Sequence, residues 1–281
     1  MIRIVSDSTS DLSKEIIDKY SIVIVPMYVR LGEKEKKDGV DITPEEIYKW
    51  SDCVGETPKT AAPSVQDYIN VFSANKDDEY IVFTISSSMS ASNNNCRLAV
   101  SELEMEDKIK VIDSENLSTG IGLQVMEAVD LVAQGKSLAE IEEYINEIKK
   151  RVRASFVVDT LKFLYRGGRC SGIAALVGET LKLHPKITVV DGAMKPANKY
   201  RGSAKKYISD YVKDMKEELL KAKKDRLFIT HSGCEKEIVD TVRAFLEDLG
   251  YFDEIIETRA GSVISSHCGP GTLGVLFISN P

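Results

Sequence analysis

The run Thr84-Ile85-Ser86-Ser87-Ser88-Met89-Ser90-Ala91-Ser92-Asn93 gathers short hydroxyls between the apolar stretch Tyr80 to Phe83 and a helix predicted over Met89 to Leu103. A strand that empties into Ser and Thr at a helix start collects backbone N–H groups, hydroxyls and the positive end of the helix dipole. Such a place suits an anion, whether phosphate, carboxylate or a transition-state oxyanion. The same hydroxyls also serve as helix caps. As a nucleophile site the run is poor, because Ser86 to Ser92 contains none of the glycines that build a sharp nucleophile elbow.

Three more segments carry side chains with chemistry. In Arg166-Gly167-Gly168-Arg169 the paired glycines free the backbone, and the guanidiniums are able to grip a carboxylate or phosphate in bidentate fashion. The bland alternative is a turn ahead of a helix near Ser171, with both arginines solvated. Ser265-Ser266-His267-Cys268-Gly269-Pro270-Gly271 reads as a rigid turn between two apolar strands. There His267 is either a structural hydrogen-bonder or an imidazole placed to bond an anion or shuttle a proton. Thr57-Pro58-Lys59-Thr60-Ala61-Ala62-Pro63-Ser64 sets hydroxyls around two prolines before a helix over Ser64 to Ser73, and by itself it is a capped helix start. No metal site is expected. His184, His231 and His267 form neither a His-Glu-x-x-His helix nor a Cys/His cluster.

The elements that position these residues fall into two blocks. Strands predicted at Ile2 to Val5, Ile22 to Val25, Tyr80 to Thr84 and Ile109 to Ile112 alternate with helices, as in a parallel sheet. Ser10 or Asp11 is expected to cap the first helix, which runs through Lys19. Helices follow over Leu117 to Ala133 and Leu138 to Val152, the second with Leu138, Ile141, Ile145, Ile148 and Val152 on one face. Leu31 to Pro63 reads as an irregular excursion with a short helix over Pro44 to Trp50. From Ala154 the pattern becomes strand-rich. Ile187 to Val190, an Asp191-Gly192 turn and Met194 to Tyr200 predict a hairpin. Helices over Ala204 to Ala222 and Lys236 to Leu249 then alternate with strands at Leu227 to Thr230, Glu254 to Glu257, Ser262 to Ser265 and Leu273 to Ile278. The expected class is α/β: a doubly wound parallel-sheet domain over 1–152 and an α+β domain over 153–281, with the segment near 60–75 packing against the second.

Composition narrows the function classes. A chain of 281 residues with 43% hydrophobic and 29% charged content is long enough to bury an ordinary core. Its net charge of -7, with lysines scattered opposite acids, disfavours nucleic acid as the main partner. Neither a signal peptide nor a membrane span is expected. Five dispersed cysteines fit reduced thiols in the cytoplasm better than a disulfide framework.

Read in order, Val5-Ser6-Asp7-Ser8, Thr60 with Pro63-Ser64, Ser86-Ser87 with Ser90, and Val111-Ile112-Asp113-Ser114 through Gly120 and Gly122 cover the first half. Asp159-Thr160-Leu161, Gly167-Gly168-Arg169, Arg201-Gly202 and His267 with Gly269-Pro270-Gly271 cover the second. This series resembles the DegV family, a set of bacterial fatty-acid-binding proteins. The resemblance implies two α/β domains with one long-chain fatty acid between them, such as palmitate, stearate or oleate. It implies Thr60, Ala61, Ser90 and Ala91 at the carboxylate, with Arg169 and His267 lining the reacting end and supporting phosphoryl transfer. It also implies a non-enzymatic carrier that presents the acid to a separate fatty acid kinase subunit for ATP-dependent acyl-phosphate formation. The alternative is a stand-alone phosphoryl- or acyl-transferring enzyme acting on a small carboxylate. Three positions depart from the usual family pattern. Thr60-Ala61-Ala62-Pro63 stands for Thr-Ser-Gln-Pro, Ser90-Ala91-Ser92 for Ser-Gly-Thr, and His184-Pro185 for Lys-Pro. Ala61 removes a hydroxyl and Ala62 an amide, so fewer head-group contacts are expected.

Overall fold

A computed structural model describes residues 1–170, 172–177 and 183–281. The first half contains β1 (Ile2–Asp7), α1 (Lys14–Lys19), β2 (Val23–Val25), β3 (Tyr28–Leu31), β4 (Lys34–Lys37), α2 (Pro44–Val54), β5 (Lys59–Ala61), α3 (Val65–Ser73), β6 (Glu79–Thr84), α4 (Ser92–Glu102), β7 (Ile109–Asp113), α5 (Thr119–Ala133) and α6 (Leu138–Ile148). The second contains β8 (Val152–Val157), α7 (Lys162–Gly167), α8 (Ala174–Val177), β9 (Leu183–Val190), β10 (Ala193–Arg201), α9 (Ala204–Asp214), α10 (Lys216–Leu219), β11 (Ala222–His231), α11 (Lys236–Asp248), β12 (Ile255–Arg259), α12 (Ser262–Cys268) and β13 (Leu273–Ser279).

Short side chains set the helix starts. Thr43 with Glu46, Ser64 with Asp67 and Ser137 with Glu140 form reciprocal capping boxes on α2, α3 and α6. Ser13 caps α1 by accepting from the Ile16 amide, whereas Ser10 and Asp11 belong to the tight turn before it.

The first sheet is parallel throughout, in the order β2-β1-β6-β7. Because side chains alternate along a strand, it is apolar on both faces. Val5, Val82 and Val111 pack with Tyr68 and Phe72 of α3 and Cys96 of α4. Ile4, Ile81, Phe83 and Ile112 point the other way, toward α5 and α6. The second sheet has the order β10-β9-β8-β13-β11-β12 and is antiparallel except for the β11–β12 pair. Its Leu227, Ile229, Val275 and Phe277 meet α9 and α11. Phe156, Phe228, Leu276 and Ile278 turn inward to the same core as the first sheet.

Helix α5 lies between the two sheets. Every residue from Thr119 to Val129 is buried, and the helix touches β1 and β6 on one side and β8, β11 and β13 on the other. A helix that is apolar nearly all round must be covered on both faces. The two units therefore share one central layer. Of the segment near 60–75, β5 packs against α12, and α3 against α4 and β2.

Several local expectations change. Ser262 to Ser265 is the start of α12, not a strand, so His267 sits in a last helical turn rather than in a turn between strands. Apolar runs this short fit either period. The stretch Leu31 to Pro63 is less irregular than expected, because β3 pairs with β4 and β5 in a small antiparallel sheet. Strand β4 is the all-charged Lys34–Lys37, which hides its period. Helix α6 gives way to a tight turn over Lys149–Arg151, and Val152 opens β8. The helix expected over Ala204 to Ala222 divides into α9 and α10, and Ala222 begins β11. Helices α4 and α5 begin at Ser92 and Thr119, leaving Met89, Ser90 and Leu117 in the preceding turns. The helix start expected near Ser171 lies outside the described residues. Among the described residues no helix is long and apolar enough to cross a membrane.

The shared layer makes a simple prediction. Ile121, fully buried in α5, should cost about 2–5 kcal/mol of unfolding free energy when truncated to Ala. Leu98→Ala on the exposed side of α4 should change it by less than about 0.5 kcal/mol. Urea titration of both variants checks the contrast.

Candidate functional site

In the first sheet the chain moves one way from β1 to β2 and the other way from β6 to β7. That reversal leaves a crevice at the carboxyl ends of β1 and β6, the usual ligand position in such sheets. Asp7 ends β1, and the serine turn follows β6. The two are tied together, since the buried Asp7 carboxylate accepts from the Ile85 amide at 2.9 Å and from Ser92 Oγ at 2.6 Å. Burial raises the Asp7 pKa, and the bonds from Ser92, Thr9 and Ile85 oppose that rise.

The hydroxyls of the turn divide their duties. Ser86 and Ser88 both donate to the Gly192 carbonyl, at 2.7 and 2.5 Å, which clasps the tip of the β9–β10 hairpin. Gly192 has φ +73°, and a Cβ there would fall 2.6 Å from Ser86 Oγ. Ser92 is committed to Asp7 and to Tyr68. Ser90 remains on the wall of a cavity, beside the N-terminus of α4, where Ala91 supplies no side-chain cap. The Ser90 and Ser92 amides donate within the turn, to the Ser86 carbonyl and to Ser90 Oγ, so the anion-binding capacity first read across the whole turn contracts to the Ser90 hydroxyl and the Ala91 amide.

This cavity encloses about 230 Å³. Thr60, Ala61, Ser90, Ala91, Arg169 and His267 all line it, although they come from β5, the serine turn, the segment after α7 and α12. Ala61, Ala91 and Arg169 are exposed and mark its outer end. Met27, Ile85, Leu117, Val263, Ile264 and Cys268 are buried and make its inner wall apolar. Ala62 also lines it. One end offers hydrogen bonds and a cation; the rest offers only dispersion and dehydration.

Thr60 Oγ1 and His267 Nε2 lie 2.8 Å apart. A Cβ on Gly167 would approach His267 Nδ1 to 2.5 Å, so only glycine lets the backbone lie against the ring. Nδ1 is buried and, among the described residues, has no hydrogen-bond partner. Burial, reinforced by the Arg169 guanidinium, depresses the His267 pKa to about 4. The imidazole is therefore neutral near pH 7, and Arg169 supplies the positive charge at this end of the cavity. Arg169 Nη1 also donates to the Gly167 carbonyl at 2.7 Å. Arg166 turns elsewhere and holds the Gly55 carbonyl beyond α2.

Two carboxylates missed by the sequence reading fix the other end of α12. Asp11 Oδ1 accepts from the Gly261 amide at 2.8 Å, and Asp38 Oδ1 from the Ser262 amide at 2.7 Å. Ser118 and Ser8 satisfy their second oxygens. Burial raises the Asp38 pKa and lifts that of Asp11 to about 8. Asp11 follows the Val5-Ser6-Asp7-Ser8 segment closely in the sequence, and that nearness was the available signal. His184, flagged as a departure from the family pattern, stacks on Tyr207 at a centroid distance of 3.8 Å and lies off the cavity wall. The acids Glu127, Asp130 and Asp225 gather elsewhere, paired with Lys223 and Arg226.

Titration of His267 has a definite sign. Its folded pKa of about 4 lies below the ordinary 6.5, so the unfolded chain binds the extra proton between those values and stability falls as pH drops through that window, by up to about 3 kcal/mol. Asp11 works in the opposite sense, because its folded pKa of about 8 exceeds 3.8 and acidification favours the fold. The comparison of wild type with His267→Gln isolates the histidine. Wild type should lose more stability than the variant between pH 6.5 and 4, measured by denaturant unfolding at each pH. Parallel profiles would contradict a neutral buried imidazole.

Known proteins share this architecture and sequence. A family model described as an uncharacterised protein of the DegV family matches residues 1–280. A DegV domain-containing protein of Caldanaerobacter subterraneus subsp. tengcongensis is 32% identical over 279 residues, covering 98% of each chain. A DegV family protein from Thermus thermophilus, described for its fatty acid binding, superposes with a TM-score of 0.91 at 31% identity over 99% of each chain. A stearic acid-binding protein from Eubacterium ventriosum gives 0.85 at 27% identity, over 99% of this chain and 98% of that one. With the family model spanning essentially its full length and the fold matching throughout, the chain belongs to the DegV family.

Proposed function

We propose that this chain binds one long-chain fatty acid and presents its carboxylate to a separate kinase subunit. The observation that carries the reading is the cavity with a hydroxyl-and-cation outer end and an apolar interior, set at the crevice between β1 and β6. The Thermus thermophilus relative supports it, since that protein binds fatty acid.

In this reading Thr60, Ser90 and the Ala91 amide hold the carboxylate, and Ala61 contributes shape only. Thr60 has one proton to give. If it donates to the carboxylate, its oxygen must accept from His267 Nε2–H, which leaves Nδ1 as the unprotonated nitrogen. Nδ1 faces Gly167 and donates to no acceptor among the described residues, which is compatible with this assignment. His267 is then a neutral positioning residue for Thr60. Arg169, exposed beside the head group, steadies the charge that develops as the carboxylate oxygen attacks a phosphoryl group held by the kinase. A stand-alone transferase using His267 as general base is the weaker reading, because a base of pKa about 4 is poorly matched to neutral pH. The tail provides most of the affinity, at about 0.8 kcal/mol per buried methylene.

Native mass spectrometry of the purified protein, followed by lipid extraction, should find one fatty acid per chain. Protein that is empty and takes up neither palmitate nor oleate would overturn the reading. Losing both hydroxyls in the Thr60→Val, Ser90→Ala double variant should weaken acid binding at least tenfold, since hydrogen bonds to a charged group contribute about 1.5–3 kcal/mol each. Arg169→Ala should leave acid affinity within about twofold yet lower acyl-phosphate formation with a fatty acid kinase and ATP by tenfold or more. Equal rates for variant and wild type would remove Arg169 from phosphoryl transfer.

A further inference from the structure

The second sheet is open at one place. Strand β8 pairs with β13 along its whole length, from Val157 to Val152, but with β9 only from Val157 to Ser155. Strand β9 in turn stays paired with β10 as far as Val190. Among the described residues, Val152 to Ala154 on β8 and Val189 to Val190 on β9 therefore have a sheet neighbour on one side only. The tip of the β9–β10 hairpin is held instead by Ser86 and Ser88, through the Gly192 carbonyl.

A slot of about 550 Å³ lies where the strands part, and Val152 to Ser155 and Thr188 to Val190 all line it. Neighbouring residues on a strand point to opposite faces, so unbroken runs line a space only where strand edges border it. Such edges present main-chain donors and acceptors. The exposed Arg153 covers part of the β8 edge, its Nη1 donating to the Lys150 and Val152 carbonyls at 3.0 and 3.4 Å. Asn116, 3% exposed, stands on the wall. Its Oδ1 accepts from the Leu117 amide at 3.2 Å, and its Nδ2 donates to no acceptor among the described residues. A buried donor left unpaired is costly and marks where an acceptor belongs.

Three cations and three carboxylates border the slot, and Lys149 and Glu115 already pair at 2.9 Å. That balance selects no polyanion, and walls so charged select no acyl chain. An extended peptide suits strand edges, because each of its residues offers a donor and an acceptor. Size agrees. A 150 Å³ cavity accepts benzene, roughly 25 Å³ per heavy atom, so the slot takes about 22 heavy atoms, or about three residues. The free edge from Val152 to Ala154 is equally long, about 10 Å of strand. The slot also neighbours the mouth of the acid cavity. Ser86 and Ser88 touch Gly192 on the slot, and Ala91 on the mouth follows in the same turn, past the exposed Ser87 and Ser88. The Ser86 amide donates to the Asn116 carbonyl at 2.9 Å, and Leu117 beside it lines the cavity.

We propose that this slot docks the kinase subunit, which lays about three residues of extended chain along the free edge of β8. The proposal rests on the carrier reading above. Main-chain hydrogen bonds hold the segment, which takes over the Val152 carbonyl that Arg153 covers and offers an acceptor to Asn116 Nδ2. Docking there brings the partner to the side of the mouth at which the carboxylate is presented.

The test follows acyl-phosphate formation by the palmitate-loaded chain with ATP and the ATP-binding subunit of a fatty acid kinase. Val190, 42% exposed on the slot, is changed to Trp, which fills the slot from a position already in water. Val190→Trp should raise KM for the carrier by about tenfold or more, while kcat and the palmitate dissociation constant stay within about twofold. Glu218→Trp, from an exposed position of α10 on the same slot, should do the same and decides if Val190→Trp fails to fold. In the wild type, bound kinase subunit should slow hydrogen exchange over Val152 to Ala154 by about tenfold or more. An unchanged KM in a folded variant, or unchanged exchange over that segment, overturns the docking site. Loss of palmitate affinity in Val190→Trp also overturns it, since the slot would then act through the cavity. A wild type that binds palmitate yet yields no acyl-phosphate would instead overturn the carrier reading, so the two failures are separable.

Discussion

The burial of α5 on both faces is the constraint from which the rest of the structure follows. Its residues from Thr119 to Val129 leave no polar face for water, so a sheet is required on each side. The parallel sheet supplies Ile4, Ile81 and Phe83, and the mixed sheet supplies Phe156, Phe228 and Leu276. Once those surfaces close on one helix, the carboxyl ends of β1 and β6 face α12 and the segment after α7. The cavity is the space left where these layers meet. Its apolar interior and polar rim follow from position: inner wall residues belong to the shared core, while Thr60, Ser90 and Arg169 come from connections at its edge.

Much of this was legible in the sequence, for reasons that differ by element. The helix over Leu138 to Ile148 announces itself through a capping box and a clean apolar face. The β9–β10 hairpin follows from Asp191-Gly192 between apolar runs, and both residues do take positive φ. The six residues singled out around a carboxylate do line one cavity. Two kinds of information were hidden. Short elements such as β4 and α12 are fixed by neighbours distant in sequence, so their local periods are weak guides. Hydrogen-bond assignments were also invisible. Nothing in a run of serines says that Ser86 and Ser88 serve Gly192, that Ser92 serves Asp7, and that Ser90 alone reaches the cavity.

The electrostatics of the site follow from burial more than from charge count. Asp7, Asp11 and Asp38 are carboxylates in a core, and each is held by hydroxyls and amides rather than by a cation. Two of them grip the start of α12, and the helix carries His267 at its other end. Because the imidazole is buried and near Arg169, it loses its proton and becomes a hydrogen-bonding strut. Arg169 stands at the exposed end of the cavity. The cavity thus carries a cation at its exposed end and neutral hydrogen-bonding groups within, with no buried ion pair among the described residues of its wall.

The clasp at Gly192 has a consequence for how such a sequence can drift. Ser86 and Ser88 lie 106 and 104 residues from the glycine whose carbonyl they share. A side chain at 192 would have to adopt a left-handed backbone and would collide with the Ser86 hydroxyl, while loss of either serine leaves that carbonyl one donor short. The three positions therefore behave as one inherited unit. A change at the hairpin tip is felt by the turn that carries Ser90, and its tolerance depends on what the chain already encodes far upstream.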